Sequence, residues 1–167
     1  MTPAIQVSEL TKSFNSKVLN NVSFDVNEGE MLALIGPSGS GKSTLMRHLS
    51  GLVTSDKQET ARVTILGGTI QASGKLSKNV RASRLKVGCI FQQFNLVNRL
   101  SVLTNVLIGI LGSIPAWRGY LGWFTEEEKL KAMAALDQVG LKEHANKKAS
   151  HLSGGQQQRV AIARALA

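Results

Sequence analysis

The beginning of the chain alternates apolar and polar side chains in two short stretches. Residues 5–10 and 22–26 both show this alternation, which is typical of strands with one solvent-facing side. Asn20 with Asn21, and the segment 27–29, supply residues that favour turns. The pattern predicts that the chain opens with an antiparallel sheet.

Two later stretches are apolar without a polar interruption. Residues 31–35 run directly into a glycine-rich turn, and residues 87–91 form a second apolar run. Runs of this length are typical of strands that are buried on both faces. They therefore predict two strands in the interior of the protein, and residues 62–66 are a further strand candidate.

Longer stretches have helical periodicity and recognisable ends. Gly51 and Gly140 end two of them, and Thr125 with Glu128 has the spacing of a capping box. The predicted helices cover residues 43–50, 77–85, 100–111, 125–139 and 156–167. The fourth carries an apolar stripe that should pack against the protein, formed by Leu130, Met133, Ala134, Leu136 and Val139. The apolar residues of the last helix are Val160, Ile162, Ala163 and Leu166.

Composition narrows the class of protein. The 167 residues are 43% hydrophobic and 19% charged, which is typical of a soluble globular domain. Cys89 is the only cysteine, so no disulfide forms within the chain and a reducing cytosol fits best. The N-terminus lacks the basic and apolar pattern of a secretion signal, so the protein is expected to stay where it is made.

The sequence offers two further interpretations, a membrane span and a nucleic-acid partner, and favours neither. Residues 100–117 carry no charge, but glycine, proline and hydroxyl side chains interrupt them, which favours a packed helical subdomain over a span. The net charge of +9 is compatible with nucleic acid or an anionic surface. The basic residues are scattered rather than gathered in one stripe, so neither class of partner is favoured.

One segment carries a phosphate-binding pattern. Gly36, Gly41, Lys42 and Ser43 satisfy G-x-x-x-x-G-K-[ST] between a predicted strand and a predicted helix. Glycines let backbone N–H groups surround a phosphate, while Lys42 reaches the β and γ phosphates and Ser43 offers a hydroxyl to Mg²⁺. Lys42 is therefore a candidate catalytic residue and Ser43 a candidate metal ligand, the alternative being a flexible turn. The complete nucleotide-binding loop comprises Gly36, Pro37, Ser38, Gly39, Ser40, Gly41, Lys42, Ser43 and Thr44.

A second motif precedes the last predicted helix. Ser153 and Gln156 have the spacing of a capping box, which would be a purely structural role. A cap needs no paired glycines, however, and Gly154 with Gly155 leaves the helix N-terminus bare. Its N–H groups and the Ser153 hydroxyl could then meet an anion at close range.

The two motifs together resemble the ATP-binding proteins of ABC transporters, over essentially the whole chain. The resemblance implies an α/β fold of the P-loop NTPase class, ABC type, with a mixed-sheet core, an antiparallel β subdomain and an α-helical subdomain. ATP and Mg²⁺ are the implied cofactors. Ser153, Gly154, Gly155 and Gln156 would face the γ-phosphate held by the loop of a second copy, so that a homodimer sandwiches two ATP molecules.

Two further positions match the family. Phe14 lies where these proteins place an aromatic ring against adenine, although an ordinary edge-strand aromatic is the alternative. Gln92 matches a glutamine that contacts Mg²⁺ or water, which makes it a candidate catalytic residue and metal ligand. Gln93 beside it leaves open which of the two glutamines has this role.

Within the family, the chain most resembles the ATP-binding subunits of bacterial phosphonate importers. The resemblance is carried by residues 91–109 and by a tryptophan-bearing insert around Trp117 and Trp123. It implies that membrane permease subunits are partners, with a substrate-binding protein engaged indirectly, and no nucleic acid. It also implies a peripheral location on the cytoplasmic face of the bacterial inner membrane, with a permease helix seated in a groove beside the glutamine.

Family members continue beyond the last helix of this chain, where they carry an aspartate for Mg²⁺, a glutamate for water and a histidine near the γ-phosphate. The chain alone is therefore expected to be a C-terminally truncated domain that binds nucleotide without appreciable turnover, is marginally stable and tends to aggregate. Its expected parts are an ATP-binding core with the antiparallel sheet (1–91), a helical subdomain (92–155) and a helix that returns to the core (156–167). A non-catalytic nucleotide-binding module and a soluble relative acting on DNA or ribosomes are the alternative functions.

Overall fold

The structure is a computed structural model that describes residues 3–167. They form two compact units, Met1–Val87 and Gly88–Ala167. The three-part division proposed from the sequence stays a prediction.

The first unit is built around a sheet of five antiparallel strands. The strands are β1 (Ile5–Ser13), β2 (Lys17–Val26), β3 (Arg62–Ile65), β4 (Gly68–Ala72) and β5 (Lys75–Leu76), in the spatial order β2-β1-β3-β4-β5. Ile5 pairs with Val26 on one side and with Ile65 on the other, which places β1 inside the sheet. The antiparallel opening predicted from the alternation is confirmed.

The core of this unit lies between the sheet and two helices. Helix α1 (Lys42–Leu49) buries Leu45 and Leu49 against the sheet, and the short helix α2 (Val80–Arg84) contributes Val80. The buried side chains of the strands are Val7, Leu10, Leu19, Val63, Ile65 and Ile70. Helix α1 agrees with its predicted bounds to within one residue at each end, and α2 is shorter than predicted.

The turn predicted at Asn20 and Asn21 is wrong. Both residues lie inside β2, and the chain reverses at residues 14–16, where the Phe14 amide donates to the Ser16 carbonyl at 3.0 Å. Asn21 has a left-handed backbone (φ 50°) and donates to the Thr11 hydroxyl at 3.0 Å, beside shifts in the β1–β2 register. The asparagine pair therefore forms a bulge, because Asn tolerates this conformation in a bulge as well as in a turn.

The strands predicted at residues 31–35 and 87–91 are also wrong. Neither segment is a strand, and Met31 and Ile35 are 95% and 93% exposed. A doubly buried strand needs a hydrogen-bonded neighbour on both edges. Over residues 3–167 the sheet is antiparallel throughout, and no strand pairs with either segment. An apolar run indicates that a segment suits burial, but it does not supply the partner strand.

The second unit is helical. Helix α3 (Val102–Leu107) continues into a 3-10 segment (Ile108–Gly112), and α4 (Ala116–Leu121), α5 (Glu126–Gln138) and α6 (Gly154–Leu166) follow. Two single 3-10 turns, Lys142–His144 and Ala149–His151, connect α5 to α6. Helices α3, α5 and α6 share one core, whose largest buried side chains include Val102, Val106, Leu136, Leu141 and Val160.

The predicted capping box at the N-terminus of α5 is confirmed, and the predicted apolar stripe of this helix is confirmed only in part. The Thr125 hydroxyl accepts from the Glu128 amide while the Glu128 carboxylate accepts from the Thr125 amide, so the capping box is complete. Leu136 is buried, but Leu130 is 68% exposed. The buried face is instead centred on Ala132, Ala135 and Leu136. The small side chains of the two alanines let α5 approach its neighbours closely. In the described residues, no helix combines the length and apolar character that crossing a membrane requires.

Candidate functional site

The loop that precedes α1 needs glycine for two separate reasons. Gly41 caps the helix with φ 90°, in the left-handed region that side chains rarely adopt. A Cβ on Gly41 would also lie 2.9 Å from the Val18 carbonyl oxygen and 3.0 Å from a Leu19 methyl carbon. Strand β2 therefore fixes the position at which the helix begins. Gly39, with φ 86° and open space around it, needs glycine for its backbone conformation alone.

Lys42 lies inside the curve of this loop. Its ammonium donates to the Gly36 carbonyl at 2.7 Å, the Pro37 carbonyl at 2.8 Å and the Ser40 hydroxyl at 3.3 Å. The loop is thus wrapped around a cation at the N-terminus of an eight-residue helix. The ammonium and the helix dipole have the same sign there, so both favour an anion. Around them, Ser38 and Ser43 are exposed and Thr44 is half-buried.

Helix α1 is anchored at its other end by buried polar side chains. The His48 ring donates from Nδ1 to the Thr44 carbonyl at 2.7 Å, and burial lowers the pKa of this histidine. The Gln71 side chain in β4 donates to the His48 carbonyl at 3.0 Å and to the Val53 carbonyl at 3.1 Å. It also accepts from the Ser55 amide at 2.8 Å. The amide of Gln71 therefore ties the end of the phosphate-loop helix to the sheet.

Phe14 lies at the tip of the β1–β2 hairpin. Its side chain is 61% exposed, and the Lys12 ammonium lies 5.4 Å from the ring centroid. Lys12 also pairs with Asp56 at 3.6 Å. The ring is therefore accessible and held near a cation, and its role against adenine stays a prediction.

The second motif forms the start of α6. The Ser153 hydroxyl accepts from the Gln156 amide at 3.3 Å, and the Gln156 side chain accepts from the Ser153 amide at 2.9 Å. The predicted capping box is therefore present. A Cβ built on Gly154 or on Gly155 meets no heavy atom within 4 Å. Packing within the unit thus gives no reason for either glycine.

The cap leaves the motif able to bind an anion. The Ser153 hydroxyl uses a lone pair in the cap, so its own O–H remains available as a donor. The N–H groups of Gly154 and Gly155 belong to the first helical turn, which has no intrahelical acceptor for them. Capping and anion binding are compatible at this helix end.

The two candidate glutamines lie in a tight turn after residue 91. Gln92 and Gln93 are exposed, the Phe94 amide donates to the Phe91 carbonyl at 2.9 Å, and the Asn95 amide donates to the Gln93 carbonyl at 2.6 Å. We call residues 91–95 the glutamine turn. The structure places both side chains at its surface, so the choice between them stays open.

The candidate metal ligands are few. Ser43 belongs to the first unit and Gln92 to the second. Across residues 3–167 no three His, Cys, Asp or Glu side chains cluster closely enough to hold a metal ion. Ser43 is the second residue of α1 and its side chain is exposed, and its role as a metal ligand stays a prediction.

The tryptophan insert is ordered by its own contacts. The rings of Trp117 and Trp123 meet edge to face with centroids 5.7 Å apart. Arg118 donates to the Trp123 carbonyl at 3.2 Å and to Glu128 at 2.5 Å, and this bond lowers the pKa of Glu128. Trp117 and Trp123 are nevertheless 54% and 60% exposed, and Tyr120 is 91% exposed. Helix α4 was missed in the sequence, where Pro115 before Ala116 could have signalled a helix start.

Residues 19–167 match the family model described as ABC transporter, and the chain belongs to this family. The α/β fold of ABC ATPases follows from this match and from the structural neighbours given below.

Two curated relatives carry the same name. The chain is 58% identical to the phosphonates import ATP-binding protein PhnC of Shigella dysenteriae serotype 1 (strain Sd197). It is 57% identical to the protein of the same name in Escherichia coli (strain K12). Both alignments cover 99% of this chain and 64% of the relative, so the chain spans 64% of the length of these proteins.

Solved structures agree with the assignment to the ABC transporter family. The dimeric structure of a bacterial ABC transporter cassette is 36% identical and superimposes with a TM-score of 0.76, covering 97% of this chain and 68% of that one. A nucleotide-free ATP-binding cassette from an ABC transporter is 32% identical, with a TM-score of 0.76 and coverages of 99% and 65%. The fold is therefore that of an ATP-binding cassette, of which the chain forms about two thirds.

Proposed function

We propose that the chain is the nucleotide-binding part of an energy-coupling subunit of a bacterial ABC importer, which drives transport by ATP hydrolysis. The observation that carries this proposal is the loop wrapped around the Lys42 ammonium at the N-terminus of α1. The loop brings together a fixed cation, free N–H groups at the start of a helix and glycine backbone. This combination suits a polyphosphate.

The residues of the loop have separate tasks in this proposal. Lys42 exchanges the carbonyls of Gly36 and Pro37 for phosphate oxygens, and the N–H groups at the start of α1 bind the same phosphate. Ser43 would hold Mg²⁺, which neutralises phosphate charge when it is bound, and Gln92 or Gln93 would contact this ion or the attacking water. Phe14 would stack on adenine.

The glycines of α6 support the proposal that a second copy completes the site. Glycine at a helical position costs about 1 kcal/mol relative to alanine, and nothing in the unit uses the space beside Gly154 or Gly155. An approaching triphosphate would use it, because a Cβ would keep the anion away from the N–H groups. The homodimer would then bury each ATP between the loop of one copy and the Ser153 helix end of the other.

The transported compound and the partners are proposed from the relatives. Proteins 57% and 58% identical to this chain are named phosphonates import ATP-binding proteins. We therefore propose phosphonate import, with membrane permease subunits as direct partners and the cytoplasmic face of the inner membrane as the location. The exposed Trp117, Tyr120 and Trp123 side chains suit a contact with a permease helix.

ATP binding by the Lys42→Ala variant tests the nucleotide site. A lysine that donates to a phosphate oxygen contributes about 1.5–3 kcal/mol, so the Kd for ATP should rise about 10- to 100-fold. Lys78→Ala, at an exposed lysine outside the loop, is the matched control. Unchanged affinity in the Lys42→Ala protein would contradict the proposal.

Two further measurements separate the remaining functions. Co-purification with a membrane permease is expected of the full-length protein. ATP hydrolysis stimulated by phosphonate is expected once that protein is assembled with its permease subunits and a substrate-binding protein. ATP binding without hydrolysis would instead favour a non-catalytic nucleotide-binding module. Hydrolysis stimulated by nucleic acid or ribosomes, with no permease, would favour the soluble class of ABC ATPases.

A further inference from the structure

The last turns of α6 hold a guanidinium against the glutamine turn. Arg164 donates from Nη1 to the Asn95 carbonyl at 2.8 Å and from Nη2 to the Phe94 carbonyl at 2.6 Å. Phe94 and Asn95 have φ values of 54° and 48°. This left-handed conformation costs about 1–2 kcal/mol at Phe94, whereas Asn95 tolerates it. Two charge-assisted hydrogen bonds therefore stabilise a turn that its own backbone disfavours.

The packing around α6 keeps Arg164 in this place. A Cβ on Gly109 would lie 2.3 Å from the Arg164 carbonyl oxygen and 3.0 Å from its Cγ atom. A Cβ on Gly88 would lie 3.0 Å from the Ala165 carbonyl oxygen. Two glycines thus bring their segments against the backbone of the helix at Arg164 and Ala165. Side chains at either position would push α6 away from the turn.

The charge of Arg164 is committed to these carbonyls. The side chain is half-buried, and burial lowers the pKa of its guanidinium. Of the ion pairs that form within residues 3–167, none involves Arg164. The buried part of the guanidinium has no carboxylate partner, so the two carbonyls of the glutamine turn are the groups that stabilise it.

The same helix begins with the second motif. Helix α6 is continuous from Gly154 to Leu166, so Ser153 caps one end and Arg164 projects from the other. Ten residues at 1.5 Å per residue separate Gly154 from Arg164, a length of roughly 15 Å. A continuous helix of this length is a rigid element that can carry a displacement from Ser153 to the glutamine turn.

We propose that Arg164 is a positioning residue that locks the glutamine turn to helix α6, so that the turn and the Ser153 helix end move together. This inference rests on the proposed function, because the glutamine and Ser153 act on nucleotide only if the cassette binds ATP. Arg164 contacts no reacting group itself. It acts through the backbone of Phe94 and Asn95, directly after the two candidate glutamines.

Variants of Arg164 in the full-length protein test the proposal. Arg164→Met keeps the length of the side chain and removes its donors, and Arg164→Lys keeps the charge but not the forked geometry. Arg159→Met is the matched control, since Arg159 lies on the same helix and donates to the Val139 carbonyl at 3.1 Å, away from the glutamine turn. The measurements are the Kd for ATP, kcat, and the Mg²⁺ concentration that gives half the maximal rate.

For Arg164→Met we expect a Kd for ATP within about twofold of the wild-type value, because Lys42 and its loop are untouched. The kcat should fall about tenfold or more, and the Mg²⁺ requirement should rise, because a displaced glutamine misplaces the ion and the water. Arg164→Lys should recover part of the loss, and Arg159→Met should stay within about twofold of wild type in every measurement.

The proposal is overturned if kcat and the Mg²⁺ requirement change no more in Arg164→Met than in Arg159→Met. Should Arg164→Met fail to fold, Arg164→Lys decides the matter, and wild-type kcat with a wild-type Mg²⁺ requirement in that variant overturns it. Failure of the proposed function would look different. It would appear as ATP affinity that does not depend on Lys42, whatever stands at position 164.

Discussion

The Gly155→Ala substitution should change stability and activity in opposite directions. The residue is helical and exposed, and an added Cβ meets no heavy atom within 4 Å. Alanine is favoured over glycine in a helix by up to about 1 kcal/mol, so the free energy of unfolding should stay the same or rise by that amount. A residue that served the fold alone would tolerate this change.

The activity should nevertheless fall. The Cβ would stand where the proposed γ-phosphate of the opposite copy meets the N–H groups of α6. Loss of one such contact in a transition state costs about 3 kcal/mol, which corresponds to a decrease of about 100-fold in kcat. ATP-dependent dimerisation should weaken with it, because the nucleotide forms part of the proposed interface.

Three measurements on the full-length protein check this pair of effects. Urea denaturation reports the free energy of unfolding, steady-state kinetics report kcat, and analytical ultracentrifugation with and without ATP reports dimerisation. Gln158→Ala, at an exposed position about one turn further along α6, is the control, because it introduces alanine into the same helix away from the proposed phosphate contact. A Gly155→Ala protein with wild-type kcat would refute the reasoning, as would one that is destabilised by more than about 1 kcal/mol.

Three further predictions concern the first unit, which contains the phosphate loop. Gly41→Ala should lower the free energy of unfolding by about 1–3 kcal/mol in urea denaturation, since φ is 90° and the Cβ would lie 2.9 Å from the Val18 carbonyl; an unchanged midpoint would contradict this. Gln71→Met should cost about 2–4 kcal/mol by the same measurement, because the Ser55 amide and two carbonyls lose their buried partner; a loss below 1 kcal/mol, about that of an exposed hydrogen bond, would argue against the anchoring role. Burial lowers the pKa of His48, so the folded state resists a proton that the unfolded state accepts near pH 6.5. The free energy of unfolding should therefore fall as the pH decreases from about 6.5 towards the lowered folded pKa, with a smaller slope in His48→Gln; equal slopes would exclude His48 as the cause.

Much of the local structure could be predicted because the signals lie close together in the sequence. The capping boxes at Thr125 and Ser153 are four-residue patterns, and both form as predicted. Gly51, with φ 65°, and Gly140, with φ 67°, follow helix ends where glycine was expected to end them.

Features that depend on distant partners were not predictable. The pairing of β1 with β3 joins residues that are far apart in the sequence, and so does the Gln71 anchor of α1. Strands β4 and β5 were missed, although Leu66-Gly67 and Ser73-Gly74 have consecutive positive φ values typical of two-residue hairpin turns. Their glycines were visible in the sequence and could have indicated the hairpins.

The candidate site divides in the same way. The order of residues in the phosphate loop predicted a glycine loop directly before a helix, and helix α1 does begin there. The nucleotide and metal roles of the loop residues stay predictions. The role of Arg164 was not visible, because an arginine within a helix has no local feature that identifies the carbonyls of Phe94 and Asn95 as its acceptors.

The three hydrogen bonds of the Lys42 ammonium give this lysine a second task. These bonds hold the loop curved around the ammonium, with the oxygens of Gly36, Pro37 and Ser40 turned towards it. In the proposed function, ATP binding exchanges these protein oxygens for phosphate oxygens. The affinity for ATP then reflects only the difference between the two sets of hydrogen bonds. Removing Lys42 takes away a hydrogen-bond donor to the phosphate and also the group that holds the loop in its curved form. ATP binding would then include the cost of ordering the loop.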